Sequence, residues 1–439
     1  EGKIYDWTNG NKLADYAYRN GFEVVGHVLT WEQTSYTIMT TDVNGKFLSR
    51  DEILAFMKEA ITKIMTHFEG DGDASEYAGY TDYKNWHCPV WDVVNEAAYG
   101  TTADGFSSRG SGFRAIVGQD WVRYAFQYAD EVGYDDIELR YNDFGEQNED
   151  KLKGICTVVK HILDGGCRLD IIGLQSHYNP DTTISSVRRA FEKLGSFGTK
   201  LDVTELDMRA YTDAQVQARK KIYENGIPKE LEFYQANLWL DLFELYKEYS
   251  DRIDRVTMWS ITDKLSATNE TSGFDRTDYG NIFDRNFQAK PQYWAIADPE
   301  YYLKEILKDD TSKLRFEFNG NTNVIEESDT FEENGALYVE TGELLSTLTD
   351  IKYVINGERV SVIRNGVYYE LNAEKDIIMA DFNDYEFEKP VIRRNGKVYV
   401  SYEDLLEMMG YGSNYSEQRN LVTISEYQLG GILDEINKG

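Results

Sequence analysis

Two glutamates stand at the ends of short apolar runs: Glu96 closes WDVVNEA and Glu205 closes LDVTELD. A carboxylic acid that protonates a leaving oxygen, set across a sugar ring from a carboxylate, is the pair that glycoside hydrolysis requires. Strand-end glutamates suit that work, because an apolar strand holds its terminal carboxylate rigidly at a rim. For either residue alone, an ion-paired surface glutamate is an equally good reading. Asn95, just before Glu96, is placed to hydrogen-bond a sugar hydroxyl beside the scissile bond. A carboxyl separation of roughly 5 to 5.5 Å would mean retention through a covalent intermediate, and roughly 6.5 to 9.5 Å inversion.

Of the five histidines, His27 and His177 fall at strand ends; His67 and His161 in helical segments and His87 in a loop read as structural. His27, Glu96, His177 and Glu205 form a set that zinc accepts, but no H-E-x-x-H pair accompanies them. Cys88, Cys156 and Cys167 show neither zinc-ligand nor C-x-x-C spacing, and no disulfide framework is implied. No metal or cofactor is expected.

The elements that must position these groups follow from periodicity. From Gly21 to about Pro299, apolar runs alternate with segments of helical period, the pattern of βα units around a parallel sheet. Strands are expected at Phe22 to Trp31, Pro89 to Asn95, Ile137 to Asn142, Asp170 to Gln175, Lys200 to Leu206 and Arg255 to Ser260. Ser49 to Phe68, Gln119 to Val132 and Leu231 to Tyr249 read as helices, and the acidic, glycine-rich stretch Glu69 to Asn85 as an exposed loop. Reactive groups of such barrels sit where strands end. Here the strand ends carry His27 and Trp31, Asn95 and Glu96, Asn142 and Asp143, Gln175 and His177, Glu205 and Asp207, and Trp259 and Asp263.

A chain of 439 residues predicts a large domain plus a smaller one. Its net charge of −31 repels phosphates, which argues against nucleic acid or an anionic membrane as partner. The aromatic share of 14% suits stacking on sugar rings, although core and strand positions account for most of it. No run of 18 apolar residues predicts a membrane span, and no signal peptide is visible. After a polar linker, Lys308 to Lys313, composition shifts to short β-rich runs. Within them NGALYVETGELL (Asn334 to Leu345) and NGKVYVSYEDLL (Asn395 to Leu406) repeat 61 residues apart, each a turn, a strand and a short helix. The repeat implies an α+β module of duplicated units.

Together these motifs resemble glycoside hydrolase family 10, the endo-β-1,4-xylanases, over about residues 10 to 300. GHVLTW is similar to that family's third strand, WDVVNEA to its fourth, YNDF to its fifth, GLQSHY to its sixth, VTELD to its seventh and VTMWSITDKLS to its eighth; NIFDRNFQAKPQYWAI is similar to its tail. The resemblance implies a (β/α)8 TIM barrel that hydrolyses xylan with retention. Glu96 would be the acid/base and Glu205 the nucleophile, with Asn95 on the sugar 2-hydroxyl. His177 would position Glu205, with Gln175 beside it, and His27, Trp31 and Trp259 would line the cleft. Asn142 and Asp207 are expected to support the pair from behind. Three positions depart from the family pattern: Glu32 replaces a histidine, Phe144 a tyrosine and Ala267 a tryptophan.

Because the resemblance starts at the third strand, the barrel is expected to lack its first two βα units in this chain, as a processed product or fragment would, and to be impaired if nothing supplies them. Residues 314–427, through PVIRRNGKVYVSYEDLLEMMGY and NLVTIS, resemble the repeat domain named after the N-terminal domain of copper amine oxidases, common in surface proteins of Gram-positive bacteria. No copper is expected there, since residues 310–439 contain no histidine or cysteine. The expected layout is a partial barrel over 1–307, a linker over 308–313, the repeat module over 314–427 and a tail over 428–439. Export to the cell surface or beyond follows from a polymeric substrate, with attachment through the module or a passive spacer as its two readings. A β-glucanase on the same scaffold and a non-catalytic carbohydrate-binding surface protein are the alternative functions.

Overall fold

The computed structural model describes residues 5–31, 40–42, 44–99, 105–106, 112–271, 274–380 and 383–426. Glu32 and the tail 428–439 lie outside these residues. The described chain divides into two compact units, the first comprising Glu1–Tyr178, Arg189–Met208 and Tyr249–Ser260, the second Asn179–Arg188, Arg209–Glu248 and Ile261–Gly439.

The first unit is a curled parallel sheet with helices. Its strands are β1 (Val25–Gly26), β2 (Thr30–Trp31), β3 (Val90–Asn95), β4 (Glu138–Asp143), β5 (Ile171–Leu174), β6 (His177–Tyr178), β7 (Lys200–Met208) and β8 (Ile253–Met258). They run in the order β1-β3-β4-β5-β7, with β2 also on β3 and β6 and β8 on β7, and every pair is parallel. Every residue of β3 is buried, as parallel strands covered on both faces require. Val90, Val93 and Val94 are wholly inaccessible, each burial being worth about 1.5–3 kcal/mol. The expected first strand is broken into β1 and β2, which contact β3 at separate points.

Helix α1 (Thr8–Asn20) precedes the first strand, burying Asn11, Ala14 and Ala17, and ends at Gly21 with φ 69°. Helix α2 (Arg50–Phe68) begins where expected because Ser49 caps the amide of Glu52 and the Glu52 side chain caps Ser49 in return. The stretch Glu69 to Asn85 is not the exposed loop expected. It holds two 3₁₀ turns, and Tyr77 is buried, its ring stacked 4.5 Å from His67 and 4.0 Å from Tyr83. Aromatic burial outweighs the polar composition of that stretch. His67 lies at the end of α2, bonded to Asn11 (2.6 Å) and Glu76 (3.1 Å) and stacked on Trp7. An apolar cavity of about 640 Å³, lined by Leu13, Phe22, Phe68 and Trp91 among others, lies beside α1 and β1.

In the second unit, helix α3 (Lys229–Glu248) buries Ala236 and Leu240 against Ala295, Tyr302 and Leu303. Beyond residue 314 lie two four-stranded sheets and a five-stranded antiparallel meander from Ile351 to Glu386. Asn334 and Gly335 take positive φ (54° and 76°), as do Asn395 and Gly396 (52° and 77°), the turn chemistry that Asn-Gly favours. Each turn leads into a strand and a helix, Ala336–Glu340 with Thr341–Thr347 and Lys397–Ser401 with Tyr402–Met408. The two strands pair antiparallel with Val339 opposite Val400, so the repeated segments form one seam. Phe316, Val339, Leu344, Leu345, Leu406 and Val422 belong to the apolar core beneath them. No helix of the described residues is long and apolar enough to cross a membrane.

Candidate active site

The parallel register aligns the strand ends of the first unit. Trp31 lies opposite Asn95, Asn95 opposite Asn142, Asn142 opposite Gly173 and His177 opposite Asp207. Three residues just past strand ends take positive φ without being glycine: Glu96 (58°), Ser176 (58°) and Ser260 (75°). Such strain persists only where the surroundings over-determine the backbone. At Glu96 the amide is fixed by the Asn142 carbonyl at 2.9 Å.

One hydrogen-bonded chain links the two glutamates. Gln175 Nε2 donates to Glu96 Oε1 (3.3 Å) and to Asn95 Oδ1 (3.2 Å). Asn142 Nδ2 donates to Asn95 Oδ1 (3.0 Å) and to Glu205 Oε1 (2.9 Å), while its oxygen accepts from Thr204 Oγ1 at 2.6 Å. With two donors on its oxygen, the Asn95 amide turns its nitrogen out as the group left to donate. Gly173 makes room for this arrangement: a Cβ there would sit 2.7 Å from Asn142 Oδ1.

The carboxyls occupy opposite electrostatic settings. Trp31 Nε1 donates to Glu96 Oε2 at 3.1 Å. Burial, and then the neighbouring Asp143 carboxylate, push Glu96 above the ordinary glutamate range. Asp143 is itself held by the Ala98 amide (3.0 Å), Lys151 Nζ (2.7 Å) and the Tyr141 hydroxyl. Glu205 instead receives His177 Nε2 at 3.2 Å, and the other ring nitrogen bonds Asp207 at 3.0 Å. Burial disfavours charging of His177, but Asp207 and Glu205 overcome it and push its pKa up to about 10. A protonated ring donates from both nitrogens, one to each carboxylate.

His27 and Trp259 have rings 6.2 Å apart, as do His27 and Trp31, and Trp259 is 37% exposed, so an aromatic wall stands beside the polar chain. His27 Nδ1 bonds Asp92 at 2.8 Å. Burial opposes charging of that ring too, yet Asp92 lifts its pKa. Asp92 belongs to a buried cluster that sequence reasoning missed: Arg140 Nε meets Asp92 at 2.6 Å and Arg140 Nη1 meets Asp202 at 2.8 Å. Charges within otherwise apolar runs, Asp92, Arg140 and Asp202, were the available signal. All ten expected site residues therefore lie in the first unit: Glu96, Glu205, His27, Trp31, Asn95, Gln175, His177, Trp259, Asn142 and Asp207. Asp263, also at an expected strand end, lies in the second unit and pairs with Lys290 at 3.0 Å.

Residues 1–299 match the model of glycosyl hydrolase family 10. Endo-1,4-beta-xylanase C of Paenibacillus barcinonensis is 32% identical over 319 residues, which cover 68% of this chain and 27% of that protein. The chain thus spans about a quarter of the length of that relative. A thermostable celloxylanase of Thermoclostridium stercorarium is 30% identical, covering 67% of this chain and 73% of its own. A solved family 10 structure from Paenibacillus barcinonensis superposes with a TM-score of 0.59 at 30% identity, over 69% of this chain and 83% of that one. A curled parallel sheet with helices is what the (β/α)8 barrel of that family leads one to expect, and the chain belongs to glycosyl hydrolase family 10.

Proposed function

We propose that this chain cleaves β-1,4-xylosidic bonds within xylan by double displacement with retention. The observation that carries the reading is the contrast between the carboxyls: Glu96 is pushed toward its protonated form, while Glu205 faces Asn142 and a charged His177. Glu205 attacks the anomeric carbon as Glu96 gives its proton to the departing oxygen. Water, deprotonated by Glu96, then releases the sugar from Glu205. Asn95 donates to the 2-hydroxyl, Gln175 holds Asn95 and Glu96, and His177 orients Glu205 with Asp207 behind it. Asn142 spaces the pair, and His27, Trp31 and Trp259 form the sugar-facing wall.

Glu205→Ala abolishes turnover of every substrate, a loss of about 10⁴-fold or more. Glu96→Ala loses about 10²–10⁴-fold on xylan but is far less impaired on aryl xylosides, whose leaving groups need no proton in the first step. Equal loss on both substrate types for both variants would overturn the assignment. A second reading, hydrolysis of β-glucan, is favoured by the celloxylanase among the relatives. Reducing-sugar release from xylan against β-glucan separates the two, and binding without release from either identifies a non-catalytic carbohydrate-binding protein.

Residues 314–427 we read as a duplicated α+β module like the copper amine oxidase N-terminal repeat, joined by 308–313 to the hydrolase region 1–307. Its place is at a bacterial surface or outside the cell, where xylan is met.

A further inference from the structure

The second unit contains a cavity of about 620 Å³ that the proposed chemistry does not use. Helix α3, the segment Thr182–Ser185 and strands Arg315–Phe318, Tyr411–Ser416 and Leu421–Glu426 contribute to its walls. We infer that this cavity is a second glycan site, which binds a stretch of the neutral polysaccharide away from the glutamate pair.

Its lining has the chemistry of sugar recognition. Tyr234 is 46% exposed, with its hydroxyl anchored on the Pro180 carbonyl at 3.0 Å, so a fixed aromatic ring borders the space. Asn237 receives the Tyr302 hydroxyl on its oxygen (2.8 Å), which leaves its amide nitrogen to donate. Asn319, at the Arg315–Val324 hairpin turn, adds a second, exposed amide. In the lining Arg419 is 8% exposed; its Nη1 bonds Asp241 at 3.0 Å, and its Nε is buried without a partner among the described residues. A ligand hydroxyl or its bridging water would meet that donor. Glu317, Glu426 and Asp241 outnumber the one arginine, so an anionic ligand is repelled and a neutral polyol is preferred.

The walls are also fixed in place. Besides the buried Asp241–Arg419 pair, Glu244 accepts the Gln418 amide (3.0 Å), Ser185 bonds Ser425 (2.9 Å) and Arg188 donates to Asn414 (3.3 Å). A pre-shaped cavity loses little entropy when it is filled. On this view the residues beyond 314 and helix α3 build the site jointly.

The inference rests on xylan as the polymer. It is tested by calorimetric titration of the full chain with xylohexaose, in a Glu205→Ala background that prevents turnover. Two sites are expected, and Tyr234→Ala with Asn319→Ala should remove one, or weaken it by about tenfold, the worth of one stacked ring. Tyr234→Phe, which keeps the ring, should bind as the parent does. A single site in parent and variant alike overturns the inference, even if xylan is hydrolysed. Two sites that the variant reduces to one, where the chain with Glu205 intact releases no reducing ends from xylan, would sustain it while the hydrolase reading fails.

Discussion

The interior of the parallel sheet and the core of the sheets beyond residue 314 solve burial in different ways. Around β3, β4 and β7, Asp92, Arg140 and Asp202 are almost wholly enclosed, and each charge has an opposite partner. Beneath the antiparallel strands Phe316, Val339, Leu344, Leu345 and Val422 pack as an apolar cluster. Many charges there lie outside, as with Arg393 and Glu358, whose side chains are 45% and 47% exposed, and the buried Arg364 reaches an Asp350 that is itself 21% exposed. An apolar core needs only volume and pattern, whereas a charged interior needs every partner at its station. The second arrangement costs more, and it lies directly behind the residues that would meet substrate.

Substitution puts that contrast to the test. Arg140→Met strands two carboxylates in the sheet interior and should cost about 3–5 kcal/mol in urea unfolding. Arg393→Met should leave the midpoint unchanged. Equal effects would erase the distinction between the regions.

A smaller effect sharpens it through pH. Because the pKa of His177 is raised to about 10, its charge stabilises the folded chain fully below the ordinary histidine value and loses that contribution as pH rises through about 10. His177→Gln should therefore remove a decline in stability between about pH 6.5 and 10. An unchanged slope would mean the imidazolium is not what Glu205 and Asp207 hold. The smallest change is expected from Asp143→Asn. Burial, the larger cause, still raises Glu96, but the loss of the adjacent negative charge should move the alkaline limb of activity toward lower pH. No movement would remove Asp143 from the setting of the acid.

Much of this was legible in the chain itself. Apolar runs bounded by turns located β3, β4, β5, β7 and β8 to within a few residues, and their polar terminal residues are those the strands bring together at the candidate site. Asn-Gly turns and a 61-residue offset announced the paired strands Ala336–Glu340 and Lys397–Ser401. What stayed hidden depends on neighbours remote in sequence. Asp92, Arg140 and Asp202 make sense only when three strands lie in register, and Tyr77 looked solvent-facing until His67 and Tyr83 supplied rings on either side.

The guanidinium of Arg140 bears on how the sheet is assembled. Its partners stand 48 and 62 residues away in sequence, on strands to either side in chain order. A partly built sheet that dehydrates any one of the three charges before the others arrive gains nothing to offset the loss of water. Half-formed arrangements of these three charges are thereby penalised, and the strands that carry them gain most when they close together.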